Sequence, residues 1–303
     1  MHFARHTVLA LLLAGAAAHA AAAPKPAEER APTENEELAI AALEGLMAQP
    51  SERALPILKK VLAGPQSSLV KRRALFVLGQ IDSQESRDLL LQTARSNSEL
   101  RGEAIRSIGI GGNAKALAAL KDLYTTGDAD TKNDVLHAWL IARDKQAVYD
   151  VAVNAKTEDE AAEAIRMLGV MGATEELRKL GDKPNASRGL LEAYAIGGDL
   201  QSLRKIAEGP GDLSLRTDAT RRIGIINSDA ARTALREIYT RATDKEIRDA
   251  AMQGMMIARD DKGLLELYRV AKTTDEKRAL LRLLSTMDSD VALQAIDATL
   301  EKK

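Results

Sequence analysis

The sequence predicts an all-α solenoid, a right-handed superhelix of about nine helical hairpins, and two observations carry this prediction. First, a unit of about thirty residues recurs from Leu38 onward, with its clearest copies at 72–82, 102–113, 162–172 and 217–227. Units of this length are typical of stacked helical hairpins, because one hairpin cannot bury its own apolar face. Second, only 3% of residues are aromatic, and Ala and Leu are abundant, which favours helix-on-helix packing over strands.

The N-terminal residues have a different composition. Arg5 precedes an apolar run at 8–18, and small residues follow at 18–20. This layout predicts that residues 1–23 are a cleaved secretory signal peptide and not a membrane anchor, because the run is shorter than the ~20 residues of a span. Residues 24–36, rich in proline and acidic groups, are expected to be a disordered linker before the solenoid at 37–303. A periplasmic or secreted location follows, and no membrane span is expected in the mature chain.

The copy at 100–130 illustrates how one hairpin is built. Its first helix is predicted over about 101–108, and its second helix starts after Asn113, a residue type that caps helix N-termini. The glycines at 109, 111 and 112 are expected to stop the first helix, because glycine tolerates the left-handed conformation.

The remaining copies follow the same plan. Each first helix has a small or apolar anchor, and the nine anchors are Ala42, Ala74, Ala104, Val135, Ala164, Leu191, Ala219, Ala251 and Leu280. Apolar pairs three residues apart mark several second helices, namely Leu117 and Leu120, Val148 and Val151, Leu235 and Ile238, and Leu264 and Leu267. Capping residues are predicted in the turns between the paired helices, including Ser83, Asp144, Asp199, Ser228, Asp260 and Ser289.

This pattern resembles the HEAT-repeat family, within the armadillo-like helical class, and in particular the short bacterial HEAT-like repeats of phycobilisome-lyase-type proteins. The resemblance extends from Leu38 to about Leu300. Tetratricopeptide repeats are a poorer match, because they require a 34-residue unit with a recurring tryptophan and this chain contains only Trp139. The resemblance implies that second helices line a concave face and first helices a convex one. Chromophore attachment is not carried over, because those lyases act in the cytoplasm and this chain is expected to be exported.

One copy, at 186–214, is short, and proline and glycine stand on both sides of it at 183–185 and 209–211. Two interpretations remain open at this point. The segment is either a slightly irregular loop or a flexible seam near 181–213 between two blocks of repeats.

The sequence predicts no catalytic, cofactor-binding or metal-ligating residue. After removal of residues 1–23 only His137 remains among the histidines, and the chain has no cysteine, so the usual zinc sites are not expected. A related iron hydroxylase binds metal through repeated His-Glu pairs, which this chain lacks. His137 is expected on a helix surface, and the glycines at 109–112 lack the Lys-Ser/Thr of a phosphate loop.

Binding is the function that the sequence favours. Arginines cluster in the C-terminal block at positions 216, 221, 222, 232, 236 and 241. Arg232 and Arg236 share a helix face, which is either a solvated face of mixed charge or a strip that binds carboxylates or peptides. Trp139 and the methionines at 252, 255, 256 and 287 are expected to fill the core.

From these observations we expect a non-catalytic, monomeric scaffold that holds a protein or peptide partner in the cell envelope. The alternative is a chaperone-like or regulatory factor that binds client segments transiently. An enzyme is the least favoured class, because only His137 could serve it. The formal net charge of −1 indicates neither nucleic acid nor anionic lipid as a partner.

Overall fold

The computed structural model describes residues 31–181 and 188–301, and these residues form eighteen α-helices, one short 3-10 turn at Leu46–Ala48 and no strand. The first helices of the hairpins are α1 Glu34–Gly45, α3 Ser68–Gln80, α5 Arg101–Gly111, α7 Ala129–Ala142, α9 Glu158–Val170, α11 Arg188–Ile196, α13 Leu213–Ile226, α15 Lys245–Ile257 and α17 Thr274–Ser285. The second helices are α2 Ser51–Ala63, α4 Gln84–Ser96, α6 Ala114–Thr126, α8 Lys145–Asn154, α10 Thr174–Gly181, α12 Leu200–Ala207, α14 Asp229–Arg241, α16 Asp261–Val270 and α18 Asp290–Leu300.

The helices stack in a single array. Each first helix contacts the first helix of the next hairpin, from α1 through to α17, and each second helix packs against the first helix that follows it. Nine hairpins therefore share one continuous apolar core among the described residues. The predicted all-α solenoid of about nine hairpins is confirmed.

The core repeats the same short pattern in each hairpin. In α5 the buried residues are Ala104, Ile105, Ser107, Ile108 and Gly109. The predicted apolar pairs of the second helices are buried as well, Leu117 with Leu120 and Leu235 with Ile238 among them. Helical spacing explains both sets, because residues three and four apart lie on one face of a helix.

Two anchors differ from the sequence alignment. In α11 the buried pattern starts at Leu190, one residue before the predicted Leu191, although both side chains are buried. Ala42 is exposed, and Leu43 carries the contact of α1 with the core instead. The first hairpin has no hairpin before it among the described residues, so the outer side of α1 has nothing to pack against.

The expected role of Gly109 as a helix stop is wrong. Gly109 lies inside α5, and a Cβ atom there would stand 2.7 Å from the carbonyl oxygen of Ala138 in α7. It therefore permits the close approach of two first helices. Gly169 does the same against Ala193, and Gly112, with φ of 63°, is the left-handed residue that ends α5.

The domain predictions are affected at three places. Residues 1–23 and 183–185 lie outside the described residues. Helix α1 begins at Glu34, inside the range expected to be a linker, because Thr33 and Glu36 form a capping box. At the proposed seam, the ladder of first helices continues, since α9 contacts α11 and α11 contacts α13.

None of the helices in the described part of the chain is long and apolar enough to cross a membrane.

Candidate binding groove

An apolar cavity with convergent polar groups lies between α6 and α8, the second helices of two neighbouring hairpins. Its volume is about 570 Å³. We call it the α6–α8 groove, and its lining residues are Leu117, Ala118, Lys121, Tyr124, Thr125, Lys132, Trp139, Asp144, Gln146, Ala147, Asp150, Val151, Asn154, Ala155, Lys156 and Glu160. Concave sites of this size with an apolar floor and a few polar groups are typical of ligand sites.

Two aromatic rings form the floor of the groove. Trp139 in α7 is only 2% exposed, and its indole N–H donates to the carbonyl oxygen of Leu117 at 3.2 Å. The ring of Tyr124 lies 5.8 Å from that of Trp139, tilted by 38°. The indole hydrogen bond and the packing fix the position of the tryptophan, so the floor is rigid and apolar.

Charged side chains stand around the floor, and most of them are paired. Lys132 donates to Glu160, and its ammonium lies 5.6 Å from the centre of the Tyr124 ring. The hydrogen bond from Lys132 lowers the pKa of Glu160, whereas burial, and then the Glu160 charge, raises the pKa of Tyr124. Lys121 and Asp150 form a longer pair of 3.9 Å across the groove.

Asp144 stands at the start of α8, in a turn that the fold uses three times. Asp144, Asp199 and Asp260 cap α8, α12 and α16 with φ/ψ angles of −79°/76°, −78°/73° and −88°/62°. Each follows a residue with positive φ, and each accepts a backbone N–H three residues further on at 3.1, 3.2 and 3.1 Å. The three carboxylates therefore have the same local geometry.

In two of these turns an arginine of the preceding second helix holds the carboxylate. Arg178 donates to both oxygens of Asp199 at 3.0 and 2.8 Å, and Arg236 donates to both oxygens of Asp260 at 2.8 and 2.7 Å. The two aspartate side chains are only 2% and 4% exposed. Burial alone would raise the pKa of Asp199, but the hydrogen bonds from Arg178 and Ser202 outweigh it and lower that pKa.

Asp144 has no such partner. Ala118 occupies the position in α6 that Arg178 has in α10, and Lys121 occupies the position that Arg236 has in α14, as counted from the anchors of their hairpins. The Asp144 side chain accepts the N–H of Ala147, and no other described residue forms an ion pair with it. It lines the open groove with most of its acceptor capacity unused.

The arginine strip expected on α14 is engaged within the molecule. Arg232 donates to Asp229, to the side chain of Asn227 and to the carbonyl oxygen of Ala258, at 2.8, 2.6 and 3.2 Å. Arg236 donates to both carboxylate oxygens of Asp260, as described above. These two side chains connect neighbouring hairpins, and the hypothesis that they form a free anion-binding strip is wrong.

The remaining predicted residues lie where their spacing indicated. His137 is exposed on α7, and its Nδ1 is 2.8 Å from the carbonyl oxygen of Asn133. Trp139, Met252 and Met255 are buried, and Met256 and Met287 are half-buried. Within the described ranges no group of three or more histidines, aspartates or glutamates is arranged to hold a metal ion.

A second cavity of about 610 Å³ lies beside α10 and α12. Tyr194 there donates to the carbonyl oxygen of Leu177 at 3.1 Å, as Trp139 does to Leu117, so the two grooves share a plan. Its lining includes Gly181, the last residue that the structure describes before 188, and we assign no site to it.

The helix ladder and the repeated core pattern define the class of protein, an α-solenoid of helical hairpins. Residues 62–138 match the family model described as HEAT repeats, in agreement with the resemblance seen in the sequence. No curated protein matches the chain.

Structural comparison matches 15 chains of solved structures, and two of them illustrate the likeness. One is human deoxyhypusine hydroxylase in complex with glycerol, with 15% identity and a TM-score of 0.29, covering 75% of this chain and 98% of that one. The other is the complex of CpcE and CpcF of phycocyanin lyase from Nostoc sp. PCC7120, with 22% identity and a TM-score of 0.32, covering 87% and 98%. At TM-scores of this size neither likeness adds to the assignment.

The sequence analysis did not predict the α6–α8 groove, although the positions of its aromatic residues are visible in the sequence. The chain has few aromatic residues, and Tyr124 and Trp139 fall in consecutive helices. Asp144 was predicted as a cap but was not distinguished from the other capping aspartates. The distinction needs the contacts of Arg178 and Arg236, which only the packing of consecutive hairpins shows.

Proposed function

We propose that the protein is a non-catalytic binding module that holds an extended peptide segment of a partner protein in the α6–α8 groove. The observation that carries the proposal is the rigid aromatic floor of Trp139 and Tyr124 beneath an open cavity of about 570 Å³. Tyr124 is half-buried and rests against the buried Trp139, so its ring offers apolar surface with little conformational entropy left to lose.

The length of the groove suits a short peptide. Its lining follows α8 from the cap at Asp144 to Lys156 beyond the last turn. The helix has 10 residues, which at about 1.5 Å each gives roughly 15 Å. An extended chain of about five residues covers that distance.

The charges at the two ends of the groove give a bound peptide a direction. Asp144 is the acidic group at one end, and the exposed Lys156 stands at the other. The pairs Lys132–Glu160 and Lys121–Asp150 neutralise one another along the sides. A peptide with opposite charge polarity is therefore favoured over its reverse.

The location of the partner is part of the proposal. The basic start and apolar run of residues 1–23 support export, and we place the partner in the cell envelope on that basis. N-terminal sequencing of the protein recovered from the periplasm of a Gram-negative host tests it. A first residue between Ala21 and Pro24 is expected, and an intact Met1 in the cytoplasm would contradict it.

A second candidate, transient binding of many client segments, is favoured by one observation. The last or second-to-last residue of six consecutive first helices is a β-branched aliphatic side chain that is at least 37% exposed. These residues, which we call the aliphatic stripe, are Ile110, Ile141, Val170, Ile196, Ile225 and Ile257. Repeated exposed apolar groups are a feature of surfaces that contact other chains.

The fluorescence of Trp139, the single tryptophan of the chain, tests the primary proposal directly. Peptides selected from a displayed library of random nonapeptides are titrated against the purified protein. Groove binding is expected to change the Trp139 emission, because the indole contacts the Tyr124 ring on the floor of the groove, and to saturate at a Kd on the order of micromolar. Tyr124→Ala is expected to weaken binding, because it removes half of the floor.

Tyr149→Ala is the matched control, since Tyr149 is also half-buried but does not line the groove. Selected peptides that bind without any effect on Trp139 would refute the groove as the site. Loss of that binding in the triple variant Ile141→Ser, Val170→Ser, Ile196→Ser would then support the aliphatic stripe and the second candidate.

A further inference from the structure

We propose that the α6–α8 groove is selective for arginine, with the guanidinium of the bound peptide forming two parallel hydrogen bonds to the carboxylate of Asp144. The inference rests on the proposed function of the groove as a peptide site and states which side chain that site recognises. The evidence is internal to the molecule, because the same turn binds an arginine in two other hairpins.

The turn itself shows what its carboxylate binds. Asp199 and Asp260 match Asp144 in backbone dihedral angles and in the capping hydrogen bond, and both receive a guanidinium through Nε and Nη2. In both cases the arginine comes from the preceding second helix, which is the side on which the α6–α8 groove is open. A guanidinium that enters this groove meets Asp144 from the direction in which Arg178 and Arg236 approach their partners.

The groove has space at this position. Ala118 is exposed and has no side chain beyond Cβ. Arg178 occupies the corresponding position beside the cavity at α10 and α12. Ala147, three residues after Asp144, donates its N–H to the carboxylate and also lines the cavity. An ionised carboxylate accepts about four hydrogen bonds, so the cap leaves enough capacity for both bonds of a guanidinium fork.

Two lysines that line the groove are directed to acids other than Asp144. Lys121 is 71% exposed, and its ammonium is directed to Asp150 at 3.9 Å, which is beyond hydrogen-bonding distance. Lys132 is engaged by Glu160. The acid at the start of the groove is therefore available to a ligand.

Arginine fits better than lysine on geometric grounds. The planar guanidinium presents two N–H groups that match the two oxygens of a carboxylate, whereas an ammonium acts as a point charge. The apolar lining, with Trp139, Val151 and Ala147 near the acid, reduces the access of water and strengthens the pair relative to an exposed salt bridge. We expect arginine to be preferred over lysine, and both over citrulline, which keeps the shape and loses the charge.

The test uses the random nonapeptide library against the full protein and two variants. Asp144→Asn keeps the helix cap, because asparagine caps as well as aspartate does, and removes the charge. Asp150→Asn is the matched control on the rim of the same groove. Peptides selected by the wild type and by Asp150→Asn are expected to be enriched in arginine at one position, and those selected by Asp144→Asn are not.

Defined peptides then provide the measurement. The consensus peptide and its versions with lysine or citrulline in place of the arginine are titrated by Trp139 emission. The arginine peptide is expected to bind Asp144→Asn roughly tenfold or more weakly than the wild type. The citrulline peptide is expected to bind the two proteins equally.

The outcomes separate this inference from the proposed function. Peptides that change Trp139 emission without enrichment of arginine, or that bind Asp144→Asn unchanged, overturn the arginine site and leave the groove intact as a peptide site. Equal affinity for the lysine and arginine peptides would contradict the two parallel hydrogen bonds from the guanidinium to Asp144. A library that yields no peptide acting on Trp139 in any of the three proteins overturns the proposed function and, with it, the inference.

Discussion

The turns at Asp144 and at Asp260 have nearly the same backbone angles and the same capping hydrogen bond, but their surroundings differ. Between α14 and α16 the guanidinium of Arg236 covers the carboxylate. Between α6 and α8 the corresponding positions hold Ala118 and Lys121, and the carboxylate faces a cavity of about 570 Å³. In this solenoid, two side-chain positions on a second helix decide whether the chain pairs the capping carboxylate itself or leaves it to a ligand.

The largest effect on stability is expected for Arg236→Ala, which removes the arginine that pairs with Asp260. The carboxylate of Asp260, which is 4% exposed in the intact protein, would lose its ion-pair partner. We expect the free energy of unfolding to fall by about 2–3 kcal/mol, less than for a fully buried pair because Arg236 is itself 35% exposed. Urea denaturation followed by circular dichroism measures it. Arg241→Ala, an exposed residue of the same helix, is the control, and equal small losses in both variants would contradict the prediction.

The loss of stability caused by Asp199→Asn is expected to depend on pH. The pKa of Asp199 is lowered in the folded state, so its contribution to stability is fully present above the unfolded value of about 3.9 and is lost as the pH falls toward the lowered one. Asn retains the cap but does not titrate. The Tm of the variant is expected to lie below that of the wild type at pH 7, with a gap that narrows as the pH falls through 4. A gap independent of pH would contradict the assignment.

Ala118→Arg introduces an arginine in α6 at the position that Arg178 has in α10. The new guanidinium is expected to reach Asp144 as Arg178 reaches Asp199, and to stabilise the fold by about 1 kcal/mol. It should also abolish peptide binding. Ala118→Gln provides a long side chain without charge as the control. A stabilisation shared by both variants would show that helix packing is the cause and not the ion pair.

The smallest effect is expected for Lys121→Ala. The pair with Asp150 is long and exposed, so the free energy of unfolding should change by less than about 0.5 kcal/mol. A thermal melt at low and at moderate salt measures this change. A loss close to that of Arg236→Ala would show that Lys121 supports Asp144 in the unbound protein, and the two grooves would then be alike.

Much of the fold could be predicted from local signals. The caps at Ser83, Asn113 and Asp144 lie where the sequence placed them, because an N-cap depends only on residues within one turn of it. The resemblance to HEAT repeats, which the family model matches at 62–138, was recognised for the same reason. The role of Gly109 was not, because a helix stop and a close contact both favour glycine, and only the position of Ala138 distinguishes them.

The candidate site was predicted less well. The sequence directed attention to Arg232 and Arg236, since clustered charge is visible along a chain. Their partners Asp260 and the carbonyl of Ala258 are in the next hairpin and neutralise or engage them there. Trp139 was correctly expected to be buried. Its ring also lies at the floor of a groove, which forms only where α6 and α8 pack side by side.

By itself, the sequence determined the helices, their caps and the period of the array, because each depends on side chains within one or two turns of the same helix. The tertiary structure decided which of three equivalent aspartates remains open. That outcome depends on residues 21 and 24 positions apart in the two paired turns, which meet only when consecutive second helices pack side by side. A guanidinium pairs with the carboxylate in two turns, and in the third the small side chain of Ala118 leaves the carboxylate without an arginine.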